Sequence, residues 1–404
     1  MTSSELYHGF GLEGYRTVAT HFENAKLILD VESTRPARCT GCGSIHIVGR
    51  GHFLRQFKAS PIGNKQVVIR LRVQRVECRL CGLVRRVKIG FAHARRRYTK
   101  RLEKHVLFLL RCATIKDVAA IVGLSWDVVK DIQKRWLTRH FRLPRLKGVR
   151  HIAIDEISIG KGHRYLTVVL DLDSGKVLFV GDGKGADALK PFWKRVSRCK
   201  QCKIHSVAID MSPAYISAVS TKLPKARIVF DRFHLVKLCN EMLTKLRRAL
   251  YREATEQLHK NVLKGTRWLL LKNPENIDAS RDEGRRLQEA LALNAPLAKA
   301  YYMKDELRQF WAMPDKKSAE AFLLSWIKRA EVSGITLLKK FAHTLANHRM
   351  GLLAWYDDPI STGPLEGTNN KIKTMKRQAY GFRDTEFFKL KILGLHETKS
   401  VLVG

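Results

Sequence analysis

Three acidic residues and four cysteines carry the chemistry this sequence offers. Asp155 closes the apolar run 151–155, and Asp210 closes the run 206–210. Carboxylates that come close repel each other unless protonated or bridged by cations. Mg2+ (or Mn2+) takes oxygen ligands and keeps waters, so it suits such a pair. Two such ions can stabilise the attacking and leaving oxygens of phosphodiester chemistry. Taken singly, each Asp reads as a strand-end or helix-capping residue. Glu366 comes two residues after Pro364, and Pro in a first helical position starts a helix. Asn370, Lys373 and Arg377 follow Glu366 at i+4, i+7 and i+11, on one helical face. A carboxylate is thus followed by a row of phosphate-binding groups. The alternative is a Glu favoured by the helix dipole, followed by a solvated basic face. Gly367 is costly inside a helix and predicts close approach by another group.

Cys39 and Cys42 form one C-x2-C knuckle, and Cys78 and Cys81 another, each followed by a glycine, Gly43 and Gly82. Two knuckles supply four soft ligands for tetrahedral zinc, Zn2+. The alternatives are two disulfides or reduced spectators, and a cytosolic setting disfavours disulfides. Cys199 and Cys202, just before His205, have no matching second knuckle. With Cys112 and Cys239 they read as small buried hydrophobes.

These residues need elements to position them. The chain has 404 residues, which suggests two or three domains, and 45% are hydrophobic, enough for packed cores. Lys plus Arg number 75 against 37 Asp plus Glu, a formal net charge of +38. Self-repulsion of that size is relieved by a polyanion, and nucleic acid is the natural one. No apolar run is long enough to span a membrane, and the first residues lack the pattern of a signal peptide. A soluble, cytoplasmic protein is expected.

Residues 67–76 alternate as strands do. Arg95, Arg96, Arg97 and Lys100 then form a basic stretch suited to phosphates, or to a solvated linker. Thr114 and Asp117 predict a capping box, Gly123 a left-handed turn, and Ser125 the cap of a second helix. Val118, Val122, Leu124, Val129 and Ile132 supply the apolar contacts of a helix-turn-helix. Its second helix would offer Trp126, Asp127, Lys130 and Lys134 toward a major groove, unless the pair is an ordinary helical hairpin.

Beyond the breaks at Pro144 and Gly148, strand-like runs at 151–155, 165–171, 176–180, 206–210 and 226–230 alternate with helices at 185–197, 213–223 and from 232 on. The order βββαβαβα is that of the ribonuclease H-like fold, a sheet covered on both faces. From 236 to 350 the pattern is helical, including 235–256, 262–271, 281–293 and 318–331, and Trp268, Trp311 and Trp326 read as core residues. The fold class expected is multidomain α+β, in five parts. They are a zinc-binding β module (1–93), a helix-turn-helix with basic linker (94–148), the first part of a ribonuclease H-like α/β catalytic core (149–235), an all-helical insertion (236–350), and the helical C-terminal part of the core with Glu366 (351–404).

These features together resemble the bacterial insertion-sequence transposases of the DDE class, ISL-three group. The resemblance runs over nearly the whole chain. It rests most specifically on Phe230-Asp-Arg-Phe-His-Leu-Val-Lys237 and on Gly363-Pro-Leu-Glu-Gly-Thr-Asn-Asn-Lys-Ile-Lys373, with Ala-Ile-Asp155-Glu and Ala-Ile-Asp210-Met-Ser. It implies Asp155, Asp210 and Glu366 as a magnesium-holding catalytic triad. It also implies that Asp231 and His234, matching a D-x-x-H pattern of related groups, order the site or contact DNA. An N-cap Asp and a first-turn His fit those two positions equally well. The partners implied are double-stranded DNA, as terminal inverted repeats and target, and further copies of the chain in a homodimer or larger synaptic complex. A bacterial, nucleoid-associated protein follows. A DNA-binding regulator without catalysis and a metal-dependent nuclease that never joins ends remain the rival readings.

Overall fold

The computed structural model describes residues 5–160, 162–255, 262–264 and 266–396. The expected helices 235–256 and 262–271 and the expected domain 351–404 run partly outside them. The chain divides into two compact units, residues 1–142 together with those from Asp384 on, and residues 143–383.

The first unit begins with strands β1 (Tyr15–Glu23), β2 (Lys26–Ser33), β3 (Ile47–Ile62), β4 (Lys65–Cys78) and β5 (Val84–Arg86). They form one sheet in the order β1-β2-β4-β3, with β5 also on β4. The alternation seen in the sequence sets the faces. Val67, Ile69, Leu71 and Val73 of β4 are buried, while Arg72 and Gln74 between and after them are exposed. Helices α1 (Lys100–Leu109), α2 (Ile115–Val122) and α3 (Trp126–Phe141) follow. Thr114 and Asp117 make the expected capping box, Gly123 has φ 63°, and Ser125 Oγ accepts from Val128 N. Val118, Val122, Val129 and Ile132 are fully buried where these helices meet.

The β module and the helices are one unit and not two. Lys58 N donates to Arg97 O, and Thr99 N to Lys58 O, both at 2.9 Å. Gln66 Nε2 donates to Ile121 O at 3.0 Å, and the Lys58 ammonium to Gly123 O. A Cβ on residue 123 would come within 2.4 Å of the Gln66 side-chain oxygen. The left-handed backbone angle favours glycine there, while the end of the Gln66 side chain could swing aside for a methyl.

The second unit opens with β6 (His151–Gly160), β7 (Arg164–Asp171) and β8 (Val177–Asp182), then α4 (Lys190–Arg198), β9 (Ser206–Ile209), α5 (Pro213–Lys222), β10 (Arg227–Phe230) and α6 (Arg232–Glu253). The sheet order is β10-β9-β6-β7-β8. β6, β7 and β8 are antiparallel, and β9 and β10 run parallel to β6. β7 is buried along nearly its whole length, as a strand covered on both faces must be. Further helices are α7 (Arg267–Leu271), α8 (Glu283–Ala292), α9 (Ala295–Leu307), α10 (Lys316–Glu331), α11 (Thr336–Asn347), α12 (Arg349–Leu353) and α13 (Gly363–Gln378).

The helical stretch is not a separate body. One apolar core runs from Ile152, Ile154, Val207 and Ile209 of the sheet to Leu243, Leu323, Trp326 and Leu345 of the helices. α12 approaches β10 so closely that a Cβ on Gly351 would lie 2.4 Å from the Phe230 ring. Trp311 and Trp326 are buried as expected, whereas Trp268 is 66% exposed, with the Arg267 guanidinium over its ring. It lies on the outward side of a short helix whose inward side is taken by Leu269 and Leu270. Cys239 is buried, Cys199 and Cys202 are half-buried, and Cys112 is exposed just beyond α1.

Pro144, Leu146 and Val149 belong to the second unit, because Arg195 holds the Pro144 carbonyl at 2.6 Å and the other two side chains enter its core. At the other end, helix α14 (Thr385–Leu393) leaves the second unit and packs on α3. Asp384 caps α14 through Phe387 N and pairs with Lys130 at 3.0 Å and Lys134 at 3.1 Å. Lys134 also meets Glu386 at 2.8 Å. These two lysines, expected to point freely at DNA, are therefore engaged by acidic partners and half-buried.

Burial opposes ionisation of Asp384, but the Phe387 N–H and the Lys130 and Lys134 ammoniums prevail and hold its carboxyl down to about 2. A carboxyl depressed by folding stabilises fully above its unfolded value and loses that contribution as pH falls toward its folded one. Asp384→Asn should thus lower the unfolding midpoint by a margin constant from about pH 7 to 5 and shrinking below about pH 4, read by circular dichroism. Gly351→Ala should cost about 1–3 kcal/mol in denaturant unfolding, since its methyl overpacks the Phe230 ring.

Candidate active site

Parallel pairing sets the first two carboxylates side by side. His151, Ile152 and Ala153 of β6 pair with Ser206, Val207 and Ala208 of β9. The same register carries Asp155 to the level of Asp210, on strands about 4.8 Å apart. Asp210 follows β9 directly, while Asp155 lies inside β6, which continues against β7 to Gly160. Both are half-buried. Asp155 Oδ1 accepts from Glu156 N at 2.7 Å, and its Oδ2 from Asn369 Nδ2 at 2.8 Å. Asp210 Oδ1 accepts from Ser212 N at 3.1 Å. Burial raises the proton affinity of Asp155 above the usual carboxylate range, with Asp210 adding to the effect and the Glu156 N–H and His234 opposing it.

Glu366 lies in the first turn of α13, half-buried. Three residues further along this helix, Asn369 makes the bond to Asp155, so the helix that carries Glu366 is tied to β6. Asp231 fastens the start of that helix. It is buried, its Oδ1 accepts from Thr362 N at 3.1 Å, and its Oδ2 accepts from His234 N at 3.3 Å. It is thus the N-cap of α6 and also a tie to α13. Burial opposes its ionisation, yet His234 and Thr362 hold its carboxyl below the usual range. The His234 ring sits 3.4 Å from Asp231, whose carboxylate raises the imidazole pKa against its burial; Asp155 and Asp210 raise it further.

Carboxylate oxygens suit a hard divalent cation, though among the described residues Asp155, Asp210 and Glu366 do not have their oxygens within 4.8 Å of one another. Two carboxylates face one another without a cationic Lys or Arg bonded to either, among the described residues, and Asn369 Oδ1 is buried with no hydrogen-bond partner. Asn369 itself was not apparent in the sequence, where the i+4 spacing from Glu366 singled out the next residue. Asn370, Lys373 and Arg377 are exposed along α13. No protein atom approaches the Cα of Gly367 from the side a Cβ would occupy, so the expected close contact is absent among the described residues.

In the first unit, Arg95 and Arg97 are exposed, Arg96 pairs with Asp131 at 3.0 Å, and Lys100 Nζ donates to Gly90 O at 2.7 Å. Trp126 is 48% exposed, with the Lys130 ammonium 5.4 Å from its ring centre. The sulfurs of Cys39, Cys42, Cys78 and Cys81 all lie within 4.8 Å of one another. Cys39 and Cys81 stand 3.6 Å apart, and Cys42 and Cys78 3.5 Å. Tetrahedral zinc with Zn–S near 2.3 Å needs sulfurs about 3.8 Å apart, so the cluster is compatible with that ion. Backbone N–H groups of Cys42 and Gly41 draw the Cys39 thiol pKa down to about 6, while, against the Leu83 N–H, burial and the neighbouring thiols push Cys81 up to about 12.

Residues 152–392 match a family model described as a transposase, of the ISL3 DDE type. Residues 87–137 match the helix-turn-helix domain of transposase family ISL3. The chain is 34% identical over 360 residues to the transposase for insertion sequence element IS1001 of Bordetella parapertussis, covering 88% of this chain and 87% of the relative. It is 29% identical over 373 residues to the transposase for insertion sequence element IS1557 of Mycobacterium tuberculosis, covering 86% and 83%.

If the four cysteines hold zinc, the purified protein carries about one zinc ion per chain by elemental analysis. Cys39→Ser with Cys78→Ser should abolish it and lower the melting temperature, and a strong chelator should reproduce that loss in the unaltered protein.

Proposed function

Because this chain belongs to the ISL3 family of transposases, we propose that it moves an insertion sequence by cutting DNA at the element's ends and joining them to a target. The observation that carries this reading is the convergence of Asp155, Asp210 and the Glu366 helix at one edge of the central sheet. The strand order, three antiparallel strands followed by two parallel ones beside the first, supports a ribonuclease H-like core.

Asp155, Asp210 and Glu366 would hold Mg2+ (or Mn2+), which when bound neutralises charge on the attacking and leaving oxygens of a phosphodiester. The chain's own part is to aim the carboxylates and to position DNA. Asp231 fixes the start of α13, and His234 sets an imidazole beside the acidic pair. Water attacks the phosphodiester at the element's end, a P–O bond breaks and a 3′-hydroxyl is freed. That hydroxyl then attacks a target phosphodiester, forming one P–O bond as another breaks, so no protein–DNA bond is needed.

Arg95, Arg97, Trp126, Asn370, Lys373 and Arg377 are exposed and would meet double-stranded DNA, the first three at the terminal inverted repeats. Arg96, Lys100, Lys130 and Lys134 would meet DNA only by giving up their present partners. The four cysteines would hold Zn2+ and stiffen the β module. Joining two ends calls for a homodimer or larger synaptic complex, working on the bacterial nucleoid.

Asp155→Ala, Asp210→Ala or Glu366→Gln should each cut Mg2+-dependent cleavage of end DNA by roughly 10³-fold or more while leaving end binding intact in a gel-shift assay. Undiminished cleavage would overturn the triad. Binding without any cleavage by the unaltered protein points instead to a regulator, and cleavage without joining of pre-nicked ends to a target plasmid points to a nuclease.

A further inference from the structure

We propose that Asn369 is a positioning residue that sets the orientation of the Asp155 carboxylate and locks it to the helix bearing Glu366. The inference rests on the acidic triad proposed above. α13 packs against β6, and Leu365, Ile372 and Met375 along it form a buried apolar stripe. Asn369 interrupts that stripe, is only 4% exposed, and reaches Asp155 across 214 residues of sequence. A polar side chain in such a stripe is expensive unless its bond does something an apolar residue cannot.

What the bond does follows from its chemistry. The two oxygens of Asp155 each receive one N–H, Oδ1 from Glu156 and Oδ2 from Asn369, which fixes the plane of the carboxylate. Each oxygen keeps a second lone pair for a cation. An amide supplies this donor without charge. Lys or Arg in its place would also orient Asp155, but would neutralise it and compete with the metal. Because Asn369 stands three residues beyond Glu366 on the same side of α13, the one bond also fixes the helix against β6. The first and third carboxylates are thereby held in mutual register by a residue that is neither.

The test uses the full chain and Mn2+ as probe, with free ion followed by electron paramagnetic resonance and no DNA present. Asn369→Leu keeps the branched shape and removes the donor. It should weaken Mn2+ binding about 10–100-fold, the usual cost of losing a residue that orients a metal ligand. Half-maximal cleavage should need correspondingly more Mg2+, with activity recovering as the ion is raised, and end binding should be unchanged. Asn369→Ser, polar but too short to reach Asp155, should behave alike and serves if the leucine variant does not fold. Ile372→Ala loosens the same helix by packing alone and should lower the melting temperature with Mn2+ affinity within about twofold of normal. If the Asn369 variants bind Mn2+ as well as Ile372→Ala does, the proposal is overturned. Asp155→Asn separates the two levels. Should it bind Mn2+ normally, the triad itself has failed; should it lose the ion while Asn369→Leu and Asn369→Ser keep it, only the role of Asn369 has failed.

Discussion

Mutual repulsion between two carboxylates on neighbouring parallel strands is the constraint around which the second unit is organised. The pairing of β6 with β9 is enforced by the core, since Ile152, Ile154, Val207 and Ile209 are all buried beside it. Asp155 and Asp210 thus cannot separate without breaking the centre of the sheet. The neighbouring groups answer that charge with backbone N–H groups from Glu156 and Ser212, a neutral amide, and an imidazole held by Asp231. None of these replaces a cation between the carboxylates. In a chain with a formal net charge of +38, this pair of carboxylates is the exception.

Much of this was legible from the sequence because it is local. The strands at 151–155 and 206–210 announce themselves as apolar runs, and the capping box at Thr114, the turn at Gly123 and the cap at Ser125 are written within a few residues of one another. Contacts made across long separations were not. Lys130 and Lys134 read as free cations because Asp384 lies some 250 residues away in sequence. Asn369 and Asn370 are adjacent, and each is near Glu366 on a helical wheel. Which one turns inward depends on the face that Leu365 and Ile372 bury, and only packing decides it. Gly351 gave no sign of its contact with Phe230 for the same reason.

The first unit solves a different problem. Its sheet buries a modest apolar set around Leu29, Phe57, Ile69 and Val73. The four-cysteine cluster lies at the end of β4 distant from the hairpin at Gly63, where the strand pairs run out. Hydrogen bonds from Lys58 and Gln66 to the helices join the sheet to the helix-turn-helix, so orientation of the second helix is set partly by strands outside the motif.

The return of α14 to the first unit has a consequence for how the molecule is made. A ribosome emits α3 early and its acidic neighbour Asp384 only after the entire second unit. At about 5–20 residues per second, that interval is roughly 10–50 s. During it the nascent helix-turn-helix has Lys130 and Lys134 without the acidic partner they meet in the folded unit. Closing the first unit also makes the whole second unit a loop between two of its segments, so a single cut after residue 142 leaves the second unit whole but deprives the first of α14.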